Sequence, residues 1–222
     1  DQKDIRQQQE AAVHHAATSV DGAGQQKDIE LPQKAAVVGA GTMGAGIAHA
    51  LVQAGMWVML YDVEQSAVAR ARQRIEASLG RRVSEGKVSR QWASQTLQRL
   101  CEAVAIEQLA PAELVVEAVF EDQSVKGELL GRLEEVCGRH TIIASNTSTI
   151  PLTALAVGLD RPERLIGLHF FNPAHHMPLV EVIPSHHTSP QVLAAVLRVS
   201  KALRKKVVVV DDRPGFMGNR LV

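Results

Sequence analysis

Residues 37–44 decide the predicted fold, and they read Val37-Val38-Gly39-Ala40-Gly41-Thr42-Met43-Gly44. The three glycines follow the pattern G-x-G-x-x-G between a strand-like apolar run and a helix-like run. Gly39 allows a tight turn, Gly41 lets the backbone approach a pyrophosphate, and Gly44 lets the helix pack close to the strand. The N–H groups of Thr42 and Met43, in the first helical turn, favour phosphate oxygens. The stretch therefore predicts a dinucleotide-binding site.

An acidic residue ends the second predicted strand, about twenty residues beyond the glycines. Asp62 is placed there to accept hydrogen bonds from the hydroxyl groups of a ribose. A 2′-phosphate on that ribose would be repelled by Asp62 and Glu64, and neither Val63 nor Glu64 is an arginine that could bind it. The pattern favours NAD over NADP; a solvated acid at a strand end is the alternative explanation.

Strand-like and helix-like segments alternate after residue 33. Strands are predicted at residues 34–38, 56–61, 104–106, 114–119, 141–144, 165–170, 179–183 and 207–210. Helices are predicted at residues 42–54, 63–82, 89–100, 123–137 and 190–203, with Ser89 as an N-cap. The alternation predicts an α/β protein of the Rossmann type, with a doubly wound, mostly parallel sheet and helices on both faces. The two helices over residues 63–100 are predicted to form a helical hairpin insertion.

Both ends of the chain differ from the middle. Residues 1–33 are rich in Gln, Ala and Asp and are predicted to be a flexible leader or linker, whereas residues 34–212 are predicted to form the NAD-binding domain. Residues 213–222 break at Pro214-Gly215 and then begin an apolar helix that stops within two turns. So short a helix is unstable alone, and we expect it to be the start of a truncated helical domain whose remainder is missing.

The composition of the 222 residues excludes several classes of protein. Lys plus Arg and Asp plus Glu number 24 each, and aromatic residues make up 3%, so no nucleic-acid partner is expected. No apolar run approaches the ~18 residues of a membrane span, and the first residues predict no secretory signal, which makes the cytoplasm the default location. Cys101 and Cys137 predict no disulfide framework. The paired histidines lack neighbours at ligand spacing, so no metal is expected.

Polar residues follow two predicted strands. Residues 145–148 read Ser-Asn-Thr-Ser, and residues 169–173 read His-Phe-Phe-Asn-Pro. Ligands of such sheets bind beyond the carboxyl ends of the strands, so both segments are expected on the cofactor side. Glu181 stands alone in an apolar strand, where an unpaired carboxylate is costly, and His169 is its natural partner. The pair would suit a base that takes a proton from an alcohol; a core histidine bonded to backbone is an equally weighted alternative.

Several stretches, in order, carry a resemblance to a known family. They read GAGTMGAGIAHALVQAG (39–55), VVEAVFEDQSVK (115–126), ASNTSTI (144–150), ERLIGLHFFNP (163–173), LVEV (179–182) and RPGFMGNRLV (213–222). With these motifs, residues 34–222 resemble the NAD-binding domain of the 3-hydroxyacyl-CoA dehydrogenases. The chain has Thr149 where that family has a second serine, and His176-Met177-Pro178 where it usually has Val-Met-Lys.

The resemblance implies roles for individual residues. The implied catalytic residues are His169 as the base, Glu181 as its carboxylate partner, and Ser148 and Asn219 at the 3-oxygen of the substrate. The implied cofactor residues outside the glycine stretch are Asp62, Glu121, Lys126 and Asn146. Besides Ser148 and Asn219, the implied substrate residues are Ser78 and Lys87, which would contact coenzyme A.

The helical hairpin carries a basic stretch, formed by Arg70, Arg72, Arg74, Arg81, Arg82, Lys87 and Arg90. Only Glu76 and Glu85 oppose it between Arg70 and Arg90. From the residues alone, a solvated helix face and a landing site for a phosphate-bearing substrate have equal weight. The resemblance favours the second, with the coenzyme A phosphates as the ligand.

The resemblance implies an NAD-dependent (S)-3-hydroxyacyl-CoA dehydrogenase with an acyl-CoA substrate. The full-length protein is then expected to be a homodimer, in which the missing helical domain covers the acyl chain and carries much of the interface. Two alternatives stay open. One is a relative specific for 3-hydroxybutyryl-CoA or 3-hydroxyadipyl-CoA, and the other is a non-catalytic NAD-binding or structural protein.

Overall fold

The computed structural model describes residues 31–216. Within that range the strands are β1 Lys34–Val38, β2 Trp57–Tyr61, β3 Leu100–Ala103, β4 Leu114–Glu117, β5 Ile142–Ser145, β6 Leu165–Phe170, β7 Leu179–Ile183 and β8 Lys206–Val209. The helices are α1 Thr42–Gln53, α2 Gln65–Ser84, α3 Arg90–Gln98, α4 Gln123–Val136, α5 Leu152–Leu155 and α6 Pro190–Ala202. Short 3-10 helices cover Ile106–Leu109 and Pro162–Arg164.

The eight strands form one sheet in the order β3-β2-β1-β4-β5-β6-β7-β8. Every neighbouring pair is parallel except β6 and β7, which are antiparallel. The chain leaves β1 toward one edge of the sheet and leaves β4 toward the other, which opens a crevice at the carboxyl ends of these two strands. The predicted doubly wound, mostly parallel sheet is confirmed.

Successive side chains of each strand face opposite sides of the sheet, and helices cover both sides. In β1, Ala35 and Val37 pack with residues of α1, α2, α3 and α6, whereas Ala36 and Val38 pack with residues of α4 and α5. Strands buried on both faces read as continuous apolar runs. A charged side chain in such a strand therefore needs a partner inside the protein.

The predicted helical hairpin is present as α2 and α3. Ser89 caps α3, as predicted, because its hydroxyl accepts a hydrogen bond from the Trp92 N–H at 3.1 Å. The Arg82 guanidinium lies 5.5 Å from the centroid of the Trp92 ring. This cation–π contact joins the two helices.

One predicted strand is wrong. Residues 104–106 form no strand, and β3 lies earlier, where it pairs with β2 at the edge of the sheet. An edge strand tolerates an exposed Glu102, whereas the apolar Val104 is 68% exposed. The Gln108 side chain accepts a hydrogen bond from the Val104 N–H at 2.7 Å, which turns the chain into a 3-10 helix instead.

The other predicted elements are present, with ends that shift by one or two residues. Helix α5 and the two 3-10 helices are too short to show a periodic pattern. Residues 1–30 and 217–222 lie outside the described range. The predicted leader and the start of a helical domain fall mainly there, as does Asn219, and they stay predictions. Within residues 31–216, no helix is long and apolar enough to cross a membrane.

Gly44→Ala is expected to disrupt the first turn of α1. A Cβ at this position would lie 1.7 Å from the Gly39 carbonyl oxygen, so the turn or the helix must move. We expect urea denaturation to show a loss of at least about 2 kcal/mol. Gly80→Ala is the matched control, because nothing lies within 4 Å of its added Cβ, and it should stabilise α2 by about 0.5–1 kcal/mol. Equal stabilities of the two variants would contradict this packing.

Candidate active site and cofactor crevice

The glycine stretch forms the turn between β1 and α1, beside the crevice of the sheet. Gly39 has a φ of +98°, a left-handed conformation that favours glycine. Nothing lies within 4 Å of the Cβ position of Gly41, so the space next to the turn is open. Among the described residues, none caps α1 with its side chain, and its first turn contains no acid. Uncapped N–H groups at a helix N-terminus attract phosphate oxygens, and the turn therefore fits a pyrophosphate.

Asp62 follows β2 and contacts this turn. Its carboxylate accepts hydrogen bonds from the Ala40 N–H at 2.7 Å and the Glu64 N–H at 2.9 Å. It thus holds the turn, and each oxygen keeps a further lone pair for a ribose hydroxyl. Glu64 opposes a 2′-phosphate less than the sequence suggests, because Arg70 lies 3.2 Å from its carboxylate.

His169 and Glu181 are direct neighbours across the antiparallel pair β6 and β7. The Nδ1 atom of His169 lies 2.7 Å from a carboxylate oxygen of Glu181, so the predicted contact is present. Glu181 is 1% exposed, and its carboxylate is the natural acceptor of this hydrogen bond. The ring proton then lies on Nδ1, and Nε2 keeps its lone pair. The rings of Phe171 and Phe216, with centroids 4.8 and 6.2 Å from that of His169, flank the imidazole.

A second buried carboxylate, Glu117 at the end of β4, is a site residue that the sequence reasoning missed. It lies opposite Ser145 of β5, whose hydroxyl donates to one of its oxygens at 2.6 Å. Lys126 of α4, 1% exposed, donates to the other oxygen at 2.7 Å. The structure therefore holds Lys126 in an internal ion pair, and its role beside the nicotinamide stays a prediction. The signal that singled out Glu181, one carboxylate in an apolar strand, applies equally to Glu117.

Glu121 holds the loop that carries Ser148. One of its oxygens accepts hydrogen bonds from the Thr147 hydroxyl at 2.6 Å and from the N–H groups of Ser148 and Thr149 at 2.8 and 3.0 Å. Lys126 lies 3.3 Å from the other oxygen. Burial raises the pKa of Glu121, but the hydrogen bonds and the Lys126 charge outweigh it and hold that pKa at about 2. The carboxylate is therefore ionised at neutral pH and fixes the Ser148 loop.

Two further side chains join segments that are distant in the sequence. The Asn146 Oδ1 accepts a hydrogen bond from the Phe170 N–H at 2.8 Å, so this oxygen joins β5 to β6. Asp212 accepts hydrogen bonds from the N–H groups of Leu152 and Thr153 at 2.6 and 2.7 Å, which ties the segment after β8 to α5. The sequence pattern showed neither bond, because the partners lie 24 and about 60 positions apart.

The structure brings Ser78 to the cofactor turn but not Lys87. A cavity of about 250 Å³ is lined by Thr42 of the turn and by Arg74, Ser78 and Arg81 of α2, among others. Lys87 forms an exposed ion pair within the hairpin instead, at 2.8 Å, and is not among the residues lining this cavity. The basic stretch is thus divided between a cavity wall and a solvated face.

Comparisons with known proteins identify the family. Residues 34–213 match the family described as 3-hydroxyacyl-CoA dehydrogenase, NAD binding domain. The chain is 42% identical over 189 residues to 3-hydroxyadipyl-CoA dehydrogenase from Escherichia coli (strain K12), with 85% of this chain and 40% of that protein covered. It is 38% identical over 186 residues to a probable 3-hydroxybutyryl-CoA dehydrogenase from Bacillus subtilis (strain 168), with 84% and 65% covered.

A solved structure agrees with these matches. The crystal structure of (S)-3-hydroxybutyryl-CoA dehydrogenase from Ralstonia eutropha aligns with a TM-score of 0.83 at 37% identity, covering 86% of this chain and 67% of the other. Of the two curated relatives, the chain covers 40% of the length of the Escherichia coli protein and 65% of the length of the Bacillus subtilis protein. The matched domain binds NAD, and the glycine turn with Asp62 fits that cofactor. The chain belongs to the 3-hydroxyacyl-CoA dehydrogenase family, of which it contains the NAD-binding domain.

Proposed function

We propose that the protein is an NAD-dependent (S)-3-hydroxyacyl-CoA dehydrogenase, which moves a hydride between the cofactor and C3 of an acyl-CoA. The contact between His169 and Glu181 at 2.7 Å carries the proposal, because it presents a held imidazole near the carboxyl ends of the strands. The names of the relatives support the same substrate class and include hydroxybutyryl and hydroxyadipyl thioesters. The proposal is made at the level of that class.

In this reaction, residues of the chain would accept the hydroxyl proton and stabilise the 3-oxygen. When bound, NAD supplies the hydride acceptor. His169 accepts the proton of the 3-hydroxyl group at Nε2, and the ionised Glu181 stabilises the imidazolium that results. Ser148, whose loop Glu121 fixes, and Asn219, outside the described residues, donate hydrogen bonds to the 3-oxygen as its charge develops.

The family match also supports roles for the remaining site residues. Residues 39–44, Asp62, Glu121, Lys126 and Asn146 would hold the cofactor. Ser78 would contact coenzyme A, and Arg74 and Arg81, which line the same cavity, are better placed for its phosphates than Lys87.

Organisation and assembly are part of the proposal. Residues 34–212 would form the NAD-binding domain, between a flexible leader and a helical domain, in a cytoplasmic homodimer without nucleic-acid or membrane partners. The greater length of the relatives supports the additional domain. Light scattering on the full-length protein tests the assembly: twice the chain mass is expected, and a single-chain mass at micromolar concentration would contradict it.

An absorbance assay of NADH with acetoacetyl-CoA tests the activity. The full-length protein should oxidise NADH with a kcat of about 1 to 10³ s⁻¹, and NADPH should be a poor substitute. Binding of NADH without any thioester-dependent oxidation would overturn the proposal in favour of a non-catalytic protein.

Asp62→Ala is expected to weaken NAD binding about tenfold, which corresponds to about 1.4 kcal/mol, and to reduce the preference for NAD over NADP. The variant loses the ribose hydrogen bonds, the charge that repels a 2′-phosphate, and the bond to the Ala40 N–H. Titration of both cofactors measures the effect. Glu135→Gln is the control and should change the preference less than twofold, because it removes an exposed carboxylate near the C-terminal end of α4, away from the glycine turn. An unchanged preference in Asp62→Ala would refute the assigned role.

A further inference from the structure

A second cavity, of about 310 Å³, adjoins the cavity that contains Ser78, and His175 lines both. It lies between the C-terminal end of α1, the helical hairpin and the turn that follows α6. We call it the basic pocket. Its polar and aromatic lining residues are Gln53, Arg82, Trp92, His175, Arg204 and Lys205.

The charged side chains of the basic pocket are all positive. Arg82, Arg204 and Lys205 line it, and no Asp or Glu does. Among residues 31–216, none of the three forms an ion pair. Cations that converge without a counter-ion repel one another, so an anion bound among them would be stabilised.

The backbone of Arg204 has a left-handed conformation that residues other than glycine rarely adopt. Its φ is +56°, at a helix end where glycine is the usual residue. The Arg204 N–H donates to the Lys201 carbonyl at 2.9 Å, and the Lys205 N–H donates to the Ser200 carbonyl at 3.0 Å, which are the paired hydrogen bonds of a Schellman turn. Backbone strain of this kind is concentrated at functional sites, and Arg204 lines the pocket.

The ammonium group of Lys205 is held by two hydrogen bonds and has a third N–H donor. Its ammonium group donates hydrogen bonds to the carbonyl oxygens of Ala174 and Met177 at 2.6 and 2.7 Å. An ammonium group has three N–H donors. One therefore remains for a ligand, and Lys205 lines the pocket.

Two partly or fully buried imidazoles lie beside the basic pocket. The His175 ring centroid lies 4.5 Å from that of His49. Burial lowers the pKa of His49 to about 3, with contributions from His175 and Arg82, and burial and neighbouring cations also lower the pKa of His175. The Nδ1 of His175 is buried and has no hydrogen-bond partner within the described part of the chain. A bound anion would offset the charge around this ring.

We propose that the basic pocket binds a phosphorylated anion, with phosphate oxygens held by Arg82, Arg204 and Lys205. Guanidinium groups suit this task because their paired N–H donors match two phosphate oxygens. The anion has two sources to distinguish: the nucleotide end of a coenzyme A thioester, reaching past His175 from the Ser78 cavity, or a separate phosphorylated metabolite. Only the first source rests on the proposed dehydrogenase function.

Inorganic pyrophosphate is the probe and Trp92 the reporter. In a Trp57→Phe background of the 222-residue chain, Trp92 is the one tryptophan left among those residues, and its fluorescence should show saturable binding. Arg204→Gln should weaken binding at least tenfold. Lys201→Gln removes the same charge from a residue that does not line the pocket, and it should change binding less than twofold. Equal losses in both variants, or no saturable binding before substitution, would overturn the proposal.

Arg204→Gly separates binding from folding. Glycine suits the left-handed backbone, so this variant should have a higher unfolding midpoint in urea and yet lose pyrophosphate binding as fully as Arg204→Gln. Retained binding in Arg204→Gly would show that the guanidinium is not a ligand group and would overturn the proposal.

Coenzyme A distinguishes the two sources. If its nucleotide end is the ligand, coenzyme A displaces pyrophosphate, Arg204→Gln weakens coenzyme A binding about tenfold, and pantetheine displaces nothing. If a separate metabolite is the ligand, coenzyme A and pyrophosphate bind together. Both results support an anion site. NADH titration should be unchanged in every variant, so a failure of the anion site remains distinguishable from a failure of the dehydrogenase proposal.

Discussion

His169→Gln is expected to lower kcat for the oxidation of 3-hydroxybutyryl-CoA by about 10³- to 10⁴-fold, near the upper limit for loss of a general base. Glutamine can donate a hydrogen bond to Glu181, but it cannot accept the hydroxyl proton. NAD affinity should stay within twofold of the wild-type value. Steady-state kinetics and NADH titration measure the two effects. His140→Gln, at an exposed histidine, is the control and should leave both unchanged.

The companion variant Glu181→Gln isolates the carboxylate. It keeps the imidazole but removes the charge beside Nδ1, so we expect a loss of about 10²-fold in kcat, within the range of general-base effects. A fall in NAD affinity as large as the fall in kcat, in either variant, would show that His169 is a core histidine with a structural role.

Glu117→Leu is expected to have the largest effect on stability. Lys126 is 1% exposed and would lose its nearest counter-ion, 2.7 Å away. Removing one member of a buried ion pair costs about 3–5 kcal/mol. We expect a loss near the lower end of this range, because Glu121 remains 3.3 Å from Lys126 and compensates part of its charge. Urea denaturation at neutral pH measures the loss.

The double variant Glu117→Leu/Lys126→Met is the control for this prediction. It replaces both charges with apolar side chains, and it should recover at least about half of the lost free energy of unfolding. Glu121 keeps its hydrogen bonds from Thr147 and Ser148 in this variant. Losses that simply add would show that the two residues do not stabilise each other.

The sequence was sufficient for the elements whose burial pattern is regular. β1 and β6 are buried on both faces and their bounds are as predicted. β3 lies at the edge of the sheet, where strand residues need not be apolar because they are partly exposed. The strand was therefore predicted too late in the sequence, around Val104, which is apolar but exposed. Periodicity reports burial, and it fails where strands are exposed.

One contact of the candidate site, between His169 and Glu181, was predicted from the sequence. Glu181 could be paired with His169 because a lone carboxylate in an apolar strand requires a partner on a neighbouring strand. The partner of Glu117 is Lys126 on a helix, and the Glu121 hydrogen bonds reach a loop 26 to 28 positions away. The resemblance implied that Lys87 contacts coenzyme A, and in the structure Lys87 forms an exposed ion pair with Glu85. Such contacts depend on packing between elements, which residue patterns do not encode.

A crystal structure of the full-length protein with NAD and acetoacetyl-CoA tests the central claim most directly. We expect the dinucleotide to lie across Gly39–Gly44 and the His169 Nε2 to lie about 2.6–3.2 Å from the 3-oxygen of the thioester, with Nδ1 still on Glu181. An imidazole turned away from the thioester, or a nicotinamide bound far from His169, would contradict the account.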